Sequence, residues 1–262
     1  MNHELLHVFS KEASVSFTVC RRLLAAGLTG LLLLLSSTGL RADDQNSKNT
    51  AVVPAPRPEF KWWTQRHDQF VRRAHQGHVD VLFLGDSITQ GWEGGGRKPW
   101  NKYMEPLHAA NFGIGGDQTQ HVLWRITAGH ELDGIHPKVT VLMIGTNNLG
   151  SNNDTQIEEG IEKIVKTLHQ ERPHMQILLL GVFPRAHEAS SPVRKRIKDI
   201  NEHISQMDGK DNVHYLDIGD KFLEPNGTLS PKIMPDFLHP NQKGYEIETK
   251  AILPEIKKLL KE

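Results

Sequence analysis

An α/β sandwich built on one parallel sheet is the fold class this sequence predicts, and two observations carry that reading. Five short apolar runs, at 81–84, 109–112, 139–144, 177–182 and 213–216, alternate with segments of helical periodicity. The third and fourth runs are almost continuously apolar, as strands buried on both faces of a parallel sheet should be. Strand and helix in alternation imply three layers, with helices on both faces of a five-stranded parallel sheet and right-handed crossovers.

The helical segments follow from apolar spacing. From about Glu59, Phe60, Trp63, His67, Phe70 and Val71 recur near helical intervals. Val122, Leu123 and Ile126 mark a second apolar face, and Ile157, Ile161, Ile164, Val165 and Leu168 a third. Tyr245, Ile247, Ile252, Ile256 and Leu259 outline a C-terminal helix in which Pro254 is a candidate kink.

Length and composition bound the rest. A chain of 262 residues suits one domain with an N-terminal extension, and no internal repeat is evident. Hydrophobic residues make up 37% and charged residues 24%, enough apolar material for a real core. Lys plus Arg and Asp plus Glu each number 31, so nothing builds the broad positive field of a nucleic-acid binder. The 15 His residues are scattered, without the spacing of a structural metal site.

Residues 1–42 read as an export signal. Arg21 and Arg22 precede a Leu-rich run at 23–35, small polar residues follow, and Ala42 comes just before Asp43 and Asp44. The run is short of the roughly 20 residues a membrane span needs, so a retained anchor is the second reading. A secreted or periplasmic protein is expected, with membrane contact only if the segment is retained. The single Cys, Cys20, lies upstream of the run, so the mature domain would rest on core burial without disulfides. Residues 43–58, with Pro54, Pro56 and Pro58, read as a linker, and 59–262 as the domain.

In an open α/β sheet the ligand sits outside the carboxyl ends of the strands. The sequence just after the first three runs is Gly85-Asp86-Ser87, Gly113-Ile114-Gly115-Gly116-Asp117 and Gly145-Thr146-Asn147-Asn148, and all three should meet at one rim. Ser87 would emerge there, but a serine hydroxyl needs a base held by an orienting group to act as a nucleophile. Asp236-Phe237-Leu238-His239 offers one: the carboxylate can turn back to Nδ1 of the imidazole, leaving Nε2 for the serine proton. An oxyanion hole could use the N–H groups of Ser87 and Gly116 and the side-chain amide of Asn147.

Each block has a bland reading. Ser87 could be a helix cap or turn residue, Asp236 and His239 surface groups, the glycines an ordinary turn, and Asn147 and Asn148 loop caps. A dinucleotide fingerprint fails because Gln118 stands at the third glycine position.

Taken together, the four blocks in this order resemble the SGNH (GDSL) hydrolase family. Within it the stretch Leu107-His108-Ala109-Ala110-Asn111-Phe112-Gly113-Ile114-Gly115-Gly116-Asp117, continuing to His121-Val122-Leu123-Trp124-Arg125, is most similar to catalytic subunits of intracellular platelet-activating factor acetylhydrolase. The resemblance spans about residues 80–262. It implies a flavodoxin-like SGNH fold and ester hydrolysis without metal or cofactor. By family position Ser87 is the nucleophile, Gly116 and Asn147 are oxyanion donors, Asp236 is the orienter and His239 the base. The related subunits dimerise, so a homodimer is an expectation of the same kind. Two features depart from those subunits and bear on the substrate: the export signal, and the loop from Gly91 to Trp100.

The expected function is therefore exported hydrolysis of a short acyl ester, acetyl above all, from carbohydrate or glycan. An acetylated phospholipid, longer acyl chains as in lysophospholipases and thioesterases, or a non-catalytic glycan-binding module are the competing readings. Trp62, Trp63, Trp92, Trp100 and Trp124 could form a sugar-stacking surface. Trp63 and Trp124 fit core positions better, while Trp92 and Trp100 are equally suited to core and cleft. His121 and the run Arg194-Lys195-Arg196 with Lys198 read as solvated helix surface.

Overall fold

The computed structural model describes residues 48–261. The predicted export signal, Cys20 and the start of the predicted linker lie outside them. Among the described residues no helix is long and apolar enough to cross a membrane.

Five strands form the sheet: β1 (Val81–Gly85), β2 (Ala109–Gly113), β3 (Val139–Met143), β4 (Gln176–Leu180) and β5 (Val213–Leu216). They pair in the order β2-β1-β3-β4-β5, every pairing parallel. Around the sheet lie α1 (Lys61–His75), α2 (Ser87–Gln90), α3 (Thr119–Ile126), α4 (Asp154–Glu171), α5 (Pro192–Ile204) and α6 (Gln242–Leu259). The predicted α/β architecture is present.

Side chains of a strand alternate between faces, and here they feed two separate cores. Leu82 and Leu84 of β1, Leu142 of β3, and Ile177 and Leu179 of β4 point to one side, where α1, α3, α4 and α5 bury Phe70, Val122, Ile161 and Ile200. Val81, Phe83, Val141, Leu178 and Leu180 point to the other, where α6 contributes Tyr245, Ile252 and Ile256. The central strands are thus apolar on both faces because both faces are covered. Each fully buried aliphatic side chain contributes about 1.5–3 kcal/mol, so these two layers supply most of the driving force.

The caps explain where helices begin. Asn153 and Gln156 form a reciprocal capping box at the start of α4. Asn241 accepts from the N–H groups of Lys243 and Gly244 to start α6, which continues through Pro254. Pro192 opens α5 at a position that needs no N–H donor. In α1 the buried face is Trp63, His67, Phe70 and Ala74; Phe60, assigned to that face from spacing, precedes the helix and is exposed.

The described part of the stretch expected as a linker lies along α3 and α4. A short 3₁₀ turn, Thr50–Val52, buries Ala51. The Ala51 carbonyl accepts from Thr119 Oγ1 at 2.8 Å, and Ala55 N–H donates to the Gln120 carbonyl at 3.1 Å.

Candidate active site

The register aligns the carboxyl ends of three strands: Gly85 of β1 pairs with Gly113 of β2 and with Met143 of β3. Ser87, Gly116 and Asn147 follow within a few residues, so the three predicted blocks do reach one rim. Gly85 is required there. A Cβ at that position would lie 2.2 Å from Thr89 Oγ1 and 2.3 Å from the Met143 carbonyl oxygen, distances that no ordinary side chain tolerates.

Ser87 is the first residue of α2, with Asp86 as its N-cap. The buried Asp86 carboxyl accepts from the Ile88 N–H at 2.9 Å, tying the turn beneath the serine. Burial pushes this carboxyl up to about 7 against that hydrogen bond, and the nearby Asp117 adds to the rise. As the first helical residue, Ser87 has no acceptor for its N–H within α2.

His239 and Asp236 come from the loop before α6. Ser87 Oγ lies 2.8 Å from His239 Nε2, across 152 residues of chain, and His239 Nδ1 lies 2.6 Å from Asp236 Oδ2. Asp236 Oδ1 also accepts from the N–H groups of His239 (2.8 Å) and Leu238 (3.1 Å), closing a tight turn in which Phe237 adopts a φ of 56°. Although its partial burial works the other way, the bonds from the His239 ring and these backbone groups hold Asp236 below the ordinary carboxylate range. The tautomer that donates from Nδ1 to Asp236 leaves Nε2 as acceptor for the serine hydroxyl.

Neighbours fix this loop in place. Ala186 N–H donates to the Phe237 carbonyl at 3.0 Å, and Asn241 Nδ2 to the Lys232 carbonyl at 2.9 Å. Met234 is fully buried beneath it. The His239 and Asp236 side chains are 41% and 55% exposed, so the imidazole sits at an open rim rather than in a deep gorge.

Gly116 has a φ of +73°, the left-handed region that favours glycine. Its neighbour Gly115 is held by Gln90 Oε1, which accepts the Gly115 N–H at 2.7 Å. The Asn147 amide donates to the Asp117 carbonyl at 2.9 Å and approaches Asp86 Oδ2 at 3.5 Å, which orients it at the same rim. Asn148 takes the alternative role of a cap: its Oδ1 accepts the Thr119 N–H at the start of α3, at 3.0 Å.

Beneath this rim lies a polar network not foreseen from the sequence. The fully buried Arg125 guanidinium bridges Asp117 (2.7 Å) and Glu131 (3.0 Å). Trp63 Nε1 donates to Asp117 at 2.6 Å, and His67 Nδ1 lies 2.8 Å from Glu131. The only hint in the sequence is a lone Arg on the apolar side of a helix.

Of the two tryptophans equally suited to core and cleft, Trp92 is 1% exposed inside the α6-side core, and Trp100, partly buried, packs against it. Trp63 is buried and Trp124 packs at the core edge, as their helix positions suggested. His121 is not a solvated side chain: its Nδ1 accepts the Gln118 N–H at 2.9 Å in a capping box. Burial, then the charges of Arg57 and Arg125, lower it to about 4. In α5, Arg196 clamps Asp154 and the carbonyls of Leu149 and Asn152, whereas Lys195 pairs with Asp199 on the exposed side.

Comparison with known proteins gives the family. Residues 83–247 match the GDSL-like Lipase/Acylhydrolase family. The chain is 37% identical over 222 residues to platelet-activating factor acetylhydrolase IB subunit alpha2 of Rattus norvegicus, covering 83% of this chain and 95% of that one. Its fold is similar to a GDSL-like lipase from Bacteroides thetaiotaomicron, with a TM-score of 0.58 at 20% identity over 76% of this chain and 97% of the other. It is also similar to an acetylxylan esterase from Geobacillus stearothermophilus, with a TM-score of 0.53 at 19% identity over 67% and 93%. The chain belongs to the GDSL-like lipase/acylhydrolase family and is a hydrolase of the esterase class.

Proposed function

We propose that the protein is an exported serine esterase that removes short acyl groups, acetyl above all, from carbohydrate or glycan esters. One observation carries the mechanism: Ser87 Oγ, His239 and Asp236 form a continuous hydrogen-bonded chain of 2.8 and 2.6 Å.

Ser87 Oγ attacks the ester carbonyl carbon while His239 Nε2 takes its proton. The oxyanion is met by the N–H groups of Ser87 and Gly116 and by the Asn147 amide. The tetrahedral intermediate collapses, the ester C–O bond breaks, and His239 returns its proton to the departing alkoxide. Water then gives a proton to His239 and attacks the acyl-enzyme, releasing the carboxylic acid and restoring Ser87. Asp236 stays ionised and stabilises the imidazolium formed in both halves. Water is the sole co-reactant.

The open rim around His239 supports a bulky alcohol component, and the Leu-rich run after Arg21 and Arg22 supports export. An acetylated phospholipid is the second reading, favoured by the identity to the acetylhydrolase subunit. Purified protein should hydrolyse p-nitrophenyl acetate, and Ser87→Ala should abolish the reaction. Acetate release from a panel of acetylated sugars, oligosaccharides and lipids then separates the substrate classes. Faster turnover of octanoyl or palmitoyl than of acetyl esters would overturn the short-acyl assignment.

A further inference from the structure

Among the described residues the exposed large hydrophobic side chains are Val53 (39%), Phe60 (40%) and Trp62 (47%), all within positions 53–62. That clustering is not what a scatter of surface hydrophobics looks like. The segment is firmly seated: besides the bonds of Ala51 and Ala55, Asn49 Nδ2 reaches Glu159 at 2.6 Å. Phe60 and Trp62 are therefore displayed on a fixed support.

Their position relative to the catalytic rim is set by Arg57. Its Nη1 donates to the Gly115 carbonyl at 3.0 Å and lies 3.4 Å from Asp117 Oδ1. A Cβ built on Gly116 would stand 3.2 Å from Nη1 and 3.3 Å from Nη2. The same guanidinium lies 4.8 Å from the centre of the Phe60 ring and 5.4 Å from that of Trp62, and the two rings are 5.9 Å apart. The aromatic pair is thus one guanidinium away from the proposed oxyanion glycine.

We infer that Arg57, Phe60 and Trp62 form a saccharide subsite flanking the Gly115–Gly116 turn, which takes a sugar ring next to the acetylated one in an oligosaccharide. The inference rests on ester hydrolysis at Ser87. The Arg57 guanidinium lies over one face of the exposed Trp62 indole. The free part of an indole face matches the C–H face of a pyranose, and a guanidinium beside it can donate to hydroxyl and ring oxygens. A lipid surface fits less well, because interfacial patches rely on an accumulation of basic side chains. Here Glu59 stands between Arg57 and Lys61, and Arg57 turns its Nη1 inward to Gly115.

The test compares acetate release from a partially acetylated oligosaccharide and from ethyl acetate, in wild type, Trp62→Ala and Trp62→Phe. In Trp62→Ala the ratio of the two kcat/KM values should fall at least about five-fold, through KM for the oligosaccharide, and Trp62→Phe should restore most of it. In parallel, calorimetric titration of the oligosaccharide into Ser87→Ala and Ser87→Ala/Trp62→Ala should show weaker binding in the double variant. A ratio and an affinity both unmoved would overturn the subsite. So would loss of phosphatidylcholine vesicle binding in Trp62→Ala with the ratio unmoved, since the patch would then be a membrane contact. If the wild type releases acetate from no ester, the proposed reaction fails while the titration still judges the subsite.

Discussion

The hydroxyl of Tyr245, in the first turn of α6, donates a 2.6 Å hydrogen bond to the carbonyl of Ile88, the residue after Ser87. Through it the helix that follows His239 also braces the turn that carries the serine. The two sides of the proposed catalytic pair are tied by a bond independent of their own contact. Gly91 accommodates this arrangement, since a Cβ there would lie 2.0 Å from the Tyr245 oxygen.

Tyr245→Phe should therefore cost about 1–3 kcal/mol, because the Ile88 carbonyl loses its buried donor. Urea unfolding of the variant checks this, with kcat expected to fall alongside as Ser87 and His239 lose their common brace.

Arg125 carries a larger effect. Removing its charge takes away the guanidinium that the buried Asp117 and Glu131 share, and breaking such a pair typically costs about 3–5 kcal/mol. Arg125→Met should lower the thermal midpoint far more than Lys195→Met, whose exposed pair with Asp199 is worth little. Calorimetry on the two variants measures the difference.

Glu248 gives a pH dependence. It is buried on α6, its Oε2 has no hydrogen-bond partner among the described residues, and burial raises it from 4.5 to about 8, with the Trp92 indole opposing the shift. The native carboxyl thus keeps its proton where the unfolded chain has lost it. Stability is unaffected below the unfolded value, falls as pH rises from about 4.5 to about 8, and levels off above. Glu248→Gln cannot ionise, so its thermal midpoint should gain on the wild type progressively across that window. A constant difference from pH 5 to pH 9 would contradict the assignment.

Asn147→Ala should lower kcat by about 10²–10³ with little change in KM, because the role proposed for the amide is at the oxyanion rather than at the bound ester. Steady-state kinetics with p-nitrophenyl acetate separates the two constants.

The strands were legible in the sequence because both sheet faces are covered, which leaves uninterrupted apolar runs such as that at 177–180. The proposed triad positions could be singled out because acyl transfer demands particular residue types, and the structure brings Ser87, His239 and Asp236 into hydrogen-bond contact. The seat of Ala51 and Arg57 was not: three prolines in five residues read as a spacer, and it is partners on α3, α4 and the Gly115–Asp117 turn that hold the segment. Trp92 misled for a related reason. A tryptophan beside glycines resembles a cleft wall, yet those glycines let the chain fold over it, a Cβ on Gly96 falling 2.7 Å from the Trp92 Cα. The Arg125 network escaped because its partners are distributed over α1, the Gly116 turn and the segment after α3.

The central claim is that the residue 87 hydroxyl is activated by the residue 239 imidazole. Mass spectrometry after reaction with a fluorophosphonate measures this most directly. One adduct per chain is expected, mapped to the peptide containing Ser87, absent in Ser87→Ala and slowed at least about 10³-fold in His239→Ala. An adduct on another serine, or unchanged labelling without the imidazole, would contradict it.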